Sequence, residues 1–416
     1  MSLVENTNRV TGGRNGLEKS DSEPCGECMR NTNRAISLKG EEGAGATAPP
    51  DMTTKHAHKR KETDMKTTLV KTRKQKPDFG KLGFGKYFTD HMLVMEYDAA
   101  NGWGEPEIVP YDDFKINPAC CSLHYGQGIF EGLKAYKNSK GEIIMFRPRD
   151  NFIRMNRSAE RLCMAKLDID VVLDALTELV KLEEEWIPTA PGTALYIRPF
   201  MFGSESFLGV HPSKKFIFSI ILSPVGSYYE HGLEPTKLIV ESELTRASKG
   251  GTGEAKCMGN YACSLLAGER AKEKGYDQVL WLDGAEKKYV EEVGAMNMFF
   301  VIDGTVVTPM LDGSILRGIT RDSALQVLRK FGYKVEERHI TIDEVVEAYK
   351  NGKLDEAFGT GTAAVVSPVG TIAYKDLVMT INDGKMGEIT GWLYDRITGI
   401  QTERYPDEFG WVYHVK

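Results

Sequence analysis

The stretch Lys249-Gly-Gly-Thr-Gly-Glu-Ala-Lys256-Cys-Met-Gly-Asn-Tyr261 sets one lysine, Lys256, in a glycine-rich loop directly ahead of a helical run. Glycine lets a backbone take positive φ or approach another group closely, so Gly250, Gly251 and Gly253 permit a tight path in front of that lysine. Residues 260–274 carry apolar positions at helical spacing and end at Gly275. A lysine fixed at such a junction, partly removed from water and five residues from Tyr261, has the free electron pair that a Schiff base needs. A surface lysine beside an ordinary turn fits the same letters, so the chemistry has to be supported from elsewhere in the chain.

With 416 residues the chain exceeds the usual single core, which predicts two domains and a tail. A formal net charge of −6 is mild for this length and argues against nucleic acid or an anionic membrane as the main partner. A small-molecule ligand is the expectation. Seven cysteines, odd in number and irregular in spacing, suit a reducing, cytoplasmic compartment better than a secreted disulfide framework. The longest apolar run, Phe216-Ile-Phe-Ser-Ile-Ile-Leu222, is far shorter than the ~18 residues of a membrane span and reads as a buried strand.

Residues 1–78 are polar and aperiodic and read as a disordered extension. Within it, Cys25-Gly-Glu-Cys28 has metal-ligand spacing but no second pair, so no metal site is assigned. Lys55-His-Ala-His-Lys-Arg-Lys61 reads as a solvated basic run. The acids Glu5, Glu18, Asp21 and Glu23 count against an organelle transit peptide, and Met65 would serve equally well as a start.

From Phe79 onward, alternating or apolar stretches bounded by turn signals predict strands at residues 92–97, 132–136, 143–146, 193–200 and 215–222, and helical spacing predicts helices from Asn151 to Leu162 and over 170–185. Two prolines and two glycines in residues 223–235 place an interdomain loop at 224–236. The expected division is a smaller α/β domain at 79–223 and a larger, lysine-bearing domain at 237–416.

Several separated segments hold groups that a phosphorylated aldehyde cofactor would use. Glu291 and Glu292 lie at an apolar strand, where a carboxylate can keep a pyridine nitrogen protonated. Leu311-Asp-Gly-Ser-Ile-Leu-Arg-Gly-Ile-Thr-Arg321 runs through a glycine turn into a helix, and Phe358-Gly-Thr-Gly-Thr-Ala-Ala364 offers glycines with hydroxyls; both can meet an anion. Arg154, amid apolar residues at a helix start, can pair a phosphate, and Tyr196 and Arg198 share one strand face suited to a carboxylate. A structural salt bridge explains either arginine as well.

These segments, together with Leu123-His-Tyr-Gly-Gln-Gly-Ile-Phe-Glu-Gly-Leu-Lys-Ala-Tyr136, Ser223-Pro-Val-Gly226, Gln278-Val-Leu-Trp-Leu282 and Glu292-Val-Gly, resemble the branched-chain amino-acid aminotransferases in order from about Phe79 to the end. The resemblance implies an α/β, two-domain enzyme of fold type IV that uses pyridoxal 5'-phosphate and moves an amino group between L-leucine, isoleucine or valine and 2-oxoglutarate. It implies that Lys256 carries the cofactor and shuttles the proton, that Glu292 rather than Glu291 faces the ring nitrogen, and that Tyr261 bonds the phenolic oxygen. Arg154, Gly318, Ile319, Thr320 and Thr362 would hold the phosphate. Phe84, Tyr125, Phe130, Tyr196, Arg198, Tyr228 and Ala363 would form the substrate pocket of a homodimer whose interdomain loop closes near Tyr228. Two departures stand out: Ala364 and Ser367 occupy the places of a Cys-x-x-Cys pair found in some relatives, and Ala295 that of a common threonine. D-Amino-acid aminotransferases and aminodeoxychorismate lyases share the lysine and phosphate logic, and a catalytically silent relative is the alternative from another class; intact Lys256, Tyr261, Glu292 and Arg154 count against the last.

Overall fold

The computed structural model describes residues 65–226 and 233–416, all of them within one compact unit. Cys25, Cys28, the basic run at 55–61 and Tyr228 lie outside the described residues.

Two large sheets organise the chain. The first runs Lys66–Thr67, Glu107–Pro110, His91–Asp98, Lys215–Val225, Ala194–Gly203, Leu133–Lys137, Ile143–Phe146 and Val412–His414, with Gly128–Phe130 paired to Ala194–Gly203. The second runs Val290–Val293, Gln278–Leu282, Thr236–Glu241, Val365–Tyr374, Leu354–Gly361, Met296–Ile302, Thr305–Pro309 and Val335–Arg338. The apolar run at 216–222 sits mid-sheet in Lys215–Val225, buried along nearly its whole length. It lies under the helices Pro148–Arg161 and Ile169–Leu182, whose Phe152, Met155, Val172, Leu176 and Leu179 share one core with Leu93, Ile197, Ile220 and Leu222. Each such side chain contributes about 1.5–3 kcal/mol on burial, which makes this sheet and helix pair a rigid floor.

The structure departs from the sequence reading at several points. Residues 65–78, expected to be disordered, are tied down. Lys66 and Thr67 pair in parallel with Glu107 and Ile108, the Val70 amide donates to His91 Nε2 at 2.9 Å, and the Lys74 amide donates to Asp90 at 2.7 Å. The composition of this segment is polar because its side chains face outward, while its backbone is satisfied by buried acceptors. Asn151 is not a helix cap: Arg147 holds that position at φ 50° with Pro148 after it, the first-turn placement proline favours, and Asn151 donates to the Arg147 carbonyl from inside the helix. The predicted helix over 260–274 is two helices, Met258–Ala262 and Leu265–Glu273, broken where Ser264 donates from its hydroxyl to the Tyr261 carbonyl. The strand at 215 continues to Val225, past the expected start of the loop, and the last strand, Val412–His414, returns to the first sheet beside Ile143–Phe146.

Candidate active site

Lys256 lies at the end of the glycine loop, one residue before Cys257, the N-cap of Met258–Ala262. Its backbone is clamped on both sides: its amide donates to Ser158 Oγ at 2.9 Å, and its carbonyl accepts from the Phe130 amide at 3.0 Å. The loop is thereby held to the helix Pro148–Arg161 and to the strand Gly128–Phe130. The side chain is left free to turn, and Nζ donates to the Tyr261 hydroxyl at 3.2 Å. Phe130 closes this group from one side, its ring edge-on to Tyr261 at 4.6 Å and 5.2 Å from Nζ.

Tyr261 also lines a small cavity, together with a carboxylate, Glu292, and with Arg246, Asn260, Ala295 and Leu316. Glu292 is buried. It ion-pairs with Arg246 and accepts from Asn297 Nδ2 at 3.2 Å. Burial pushes its carboxyl above the ordinary range, against the opposing pull of Arg246 and the Leu316 amide. A larger cleft lies elsewhere, at the ends of the strands His91–Asp98 and Lys215–Val225 near Glu96, Asp98, Asn101 and Lys215, and holds none of these groups.

Anion-binding groups converge from three elements. The helix Ile319–Lys330 begins at Gly318 with no side-chain cap, so its first-turn N–H groups are open donors at a positive helix end. Glycine is required at 318, because a Cβ there would collide with the Asn297 side chain. Arg154 is buried, forks onto Glu131 with Nε at 2.7 Å and Nη2 at 2.8 Å, and reaches the Arg317 carbonyl with Nη1 at 3.1 Å. Two of its five N–H groups remain for a ligand. Thr362 donates to the Gly132 carbonyl at 3.1 Å, and the Thr360 hydroxyl is buried with no partner. An amine, a buried carboxylate and open N–H donors are the groups that the aldehyde, the ring nitrogen and the phosphate of pyridoxal phosphate call for.

The expected substrate pocket is assembled in part. Arg198 Nη2 donates to the Tyr196 hydroxyl at 3.1 Å, its Nε is buried and unpartnered, and the guanidinium lies 4.9 Å from the Phe130 ring. Phe84 packs edge-on against Tyr196 at 4.9 Å. The Ala363 carbonyl accepts from Lys134 Nζ at 2.7 Å. Tyr125 is placed differently: it is 45 % exposed on the short helix Cys121–Tyr125, and its hydroxyl donates to the Leu208 carbonyl. The structure does not bring it against the Lys256 group.

Four residues escape a sequence reading. Glu131 and Arg246 are the counter-charges of Arg154 and Glu292, and Asn297 positions Glu292. Lys134 is buried beside the 362–363 turn, and desolvation lowers its ammonium to about 8. The only signal was a charge inside an apolar stretch, at Phe-Glu-Gly-Leu-Lys for Glu131 and Lys134.

The family model described as amino-transferase class IV matches residues 128–372. The chain is 55 % identical over 351 residues to branched-chain-amino-acid aminotransferase 2 of Bacillus subtilis, covering 84 % of this chain and 97 % of that one. It is 46 % identical over 335 residues to the branched-chain-amino-acid aminotransferase of Mycolicibacterium smegmatis, covering 79 % and 91 %. Among solved structures, the T.th. branched-chain amino acid aminotransferase with pyridoxamine 5'-phosphate superposes with a TM-score of 0.67 at 29 % identity, over 79 % of this chain and all of that one. The Escherichia coli branched-chain amino acid aminotransferase gives a TM-score of 0.64 at 27 % identity, over 79 % and 99 %.

Proposed function

Because the chain belongs to the class IV aminotransferases and, within them, to the branched-chain-amino-acid aminotransferases, we propose that Lys256, Tyr261, Glu292 and Arg154 form its catalytic centre. The protein is a pyridoxal-phosphate-dependent transaminase of branched-chain L-amino acids and 2-oxoglutarate; the sister activities of the fold type are not favoured. The observation that supports the site assignment is Lys256 Nζ bonded to the hydroxyl of Tyr261, which itself lines the small cavity that holds buried Glu292.

Bound pyridoxal phosphate supplies the electron sink that makes the substrate Cα–H acidic. The chain's own groups do the rest. Lys256 takes the proton at Cα and returns it as general base and acid, with Tyr261 holding its amine in line. Arg154 and the N–H groups of Ile319 and Thr320, with Thr362, would hold the phosphate at the open helix end. Glu292, paired with Arg246, would face the ring nitrogen. Phe84, Phe130 and Tyr196 present an apolar wall that excludes water and takes a branched side chain, and the Ala363 turn closes it. When glutamate or 2-oxoglutarate occupies the same space, Arg198 meets its second carboxylate.

Adding L-leucine to the yellow holoprotein tests this reading: the visible band should fall with L-leucine, return with 2-oxoglutarate, and ignore D-leucine. A response to D-leucine alone would overturn it. Arg198→Gln should raise KM for 2-oxoglutarate by roughly 10- to 100-fold, the worth of a charged hydrogen bond, while KM for leucine changes little. Equal effects on both substrates would remove Arg198 from the carboxylate role.

We further read the protein as a cytoplasmic homodimer of two-domain subunits. Leu123, Tyr125, Phe207, Leu208 and Val210 form an exposed apolar group tied together by the Tyr125–Leu208 bond, of the kind a second copy covers. Light scattering should give twice the chain mass, and Val210→Asp should lower it to the monomer.

A further inference from the structure

Glu291 is buried next to Glu292 and has no part in the mechanism above. Consecutive strand residues point to opposite faces, so Glu292 faces the cavity and Glu291 faces away from it, toward the segment that carries Asp312 and Ser314. One guanidinium, Arg246, lies within reach of both carboxylates: it ion-pairs with Glu292 and lowers Glu291 electrostatically. The two acids are unequally provided for. Glu292 has Arg246, Asn297 Nδ2 and the Leu316 amide. Glu291 has the Ser314 hydroxyl on one oxygen, and its Oε2 is buried with no partner.

An ionised carboxylate with a bare buried oxygen is costly, and a neutral acid is less so, because its O–H can donate to Ser314 Oγ while that hydroxyl donates onward to Asp312 Oδ1, 3.2 Å away. Burial pushes the Glu291 carboxyl up to about 7, with Glu292 and Asp312 adding to the rise and Ser314 and Arg246 opposing it. Ser314 is also where the neighbouring parts meet. Its carbonyl accepts from Arg246 Nη2 at 2.7 Å, and it packs so closely on the lysine loop that any side chain at Gly253 would strike it.

We propose that Glu291 is a positioning residue that works as a neutral acid: it leaves the Arg246 cation undivided for Glu292 and seats Ser314 under the Lys256 loop, and its ionisation loosens both. The inference rests on Glu292 facing the ring nitrogen. The charged groups that act on Glu291 are Arg246, Asp312 and Glu292, so the direction follows: as pH rises through its titration, Arg246 is shared and cofactor affinity falls.

The test is to titrate the apoprotein with pyridoxal phosphate at pH 6 and pH 8 and to record its infrared spectrum at both. Wild type should lose about tenfold in affinity between the two, the change expected when binding moves a neighbour by one pKa unit. Glu291→Gln, permanently neutral, should hold the pH 6 affinity at pH 8 and should lack a protonated-carboxyl band that wild type shows at pH 6. Asp312→Asn, which removes a neighbouring negative charge, should move the wild-type midpoint to lower pH. A Glu291→Gln protein that tracks wild type, an infrared band it does not remove, or an unmoved midpoint in Asp312→Asn would overturn the proposal. Glu292→Gln, run in parallel, separates the premise: unaltered affinity there would overturn the Glu292 assignment itself.

Discussion

Lys256→Ala is expected to lower kcat by roughly 10³-fold or more, since proton transfer by a positioned side chain contributes ~10²–10⁴-fold and this residue also serves as the attachment point. The fold should not notice. The groups that hold the loop are the Lys256 amide on Ser158 and its carbonyl on the Phe130 amide, and both survive the substitution. The amine makes one hydrogen bond, to Tyr261, in a partly exposed cavity. Unfolding of the apoprotein in urea should therefore shift by no more than about 1 kcal/mol. Single-turnover transfer from L-leucine is the decisive measurement: a variant retaining a tenth of the wild-type rate would show that another group carries the proton.

What the sequence displays and what it hides follow one physical line. Residues whose chemistry lies in their type and local spacing are legible: Lys256 before its helix, Gly318 ahead of the turn that starts Ile319–Lys330, and Tyr196 and Arg198 two apart on one strand. The apolar runs of Lys215–Val225 and His91–Asp98 are legible for the same reason, because a strand buried on both faces shows as a near-continuous apolar stretch. Partners brought together by the fold are not. Arg154 and Glu131 are 23 positions apart, and Arg246 and Glu292 are 46 apart by their numbering (292 − 246), so nothing local marks either as a buried pair. The segment 65–78 looks like a solvated tail because its anchors, His91, Asp90 and Glu183, lie in the body rather than in the segment. Asn151 has the letters of a cap, but Pro148 three residues earlier has already started the helix.

Arg154→Met is expected to cost about 3–5 kcal/mol of stability, the penalty for leaving one partner of a buried ion pair alone. Glu131 is fully buried, and both of its oxygens are held by the Arg154 fork. Burial works against the guanidinium charge too, but the Glu131 carboxylate outweighs it and holds Arg154 above its ordinary range. Loss of either charge therefore strands the other in a dry site. Arg154→Met with Glu131→Gln should recover much of the stability, because two neutral groups of similar size carry no uncompensated charge. Cofactor affinity should separate from stability in the same pair of variants. Arg154 keeps two N–H groups for the phosphate and, through the Arg317 carbonyl, holds the chain one residue before Gly318 and the open helix end. The double variant should thus fold like wild type and still bind pyridoxal phosphate at least tenfold more weakly, a loss of about 1.4 kcal/mol. Arg154→Lys should fall between, since one ammonium cannot fork onto Glu131 and reach Arg317 together. Urea unfolding of the apoproteins and absorbance titration with the cofactor measure the two effects independently. A single variant that unfolds within about 1 kcal/mol of wild type would mean that water reaches Glu131, and a double variant with wild-type affinity would assign the phosphate to the helix end alone.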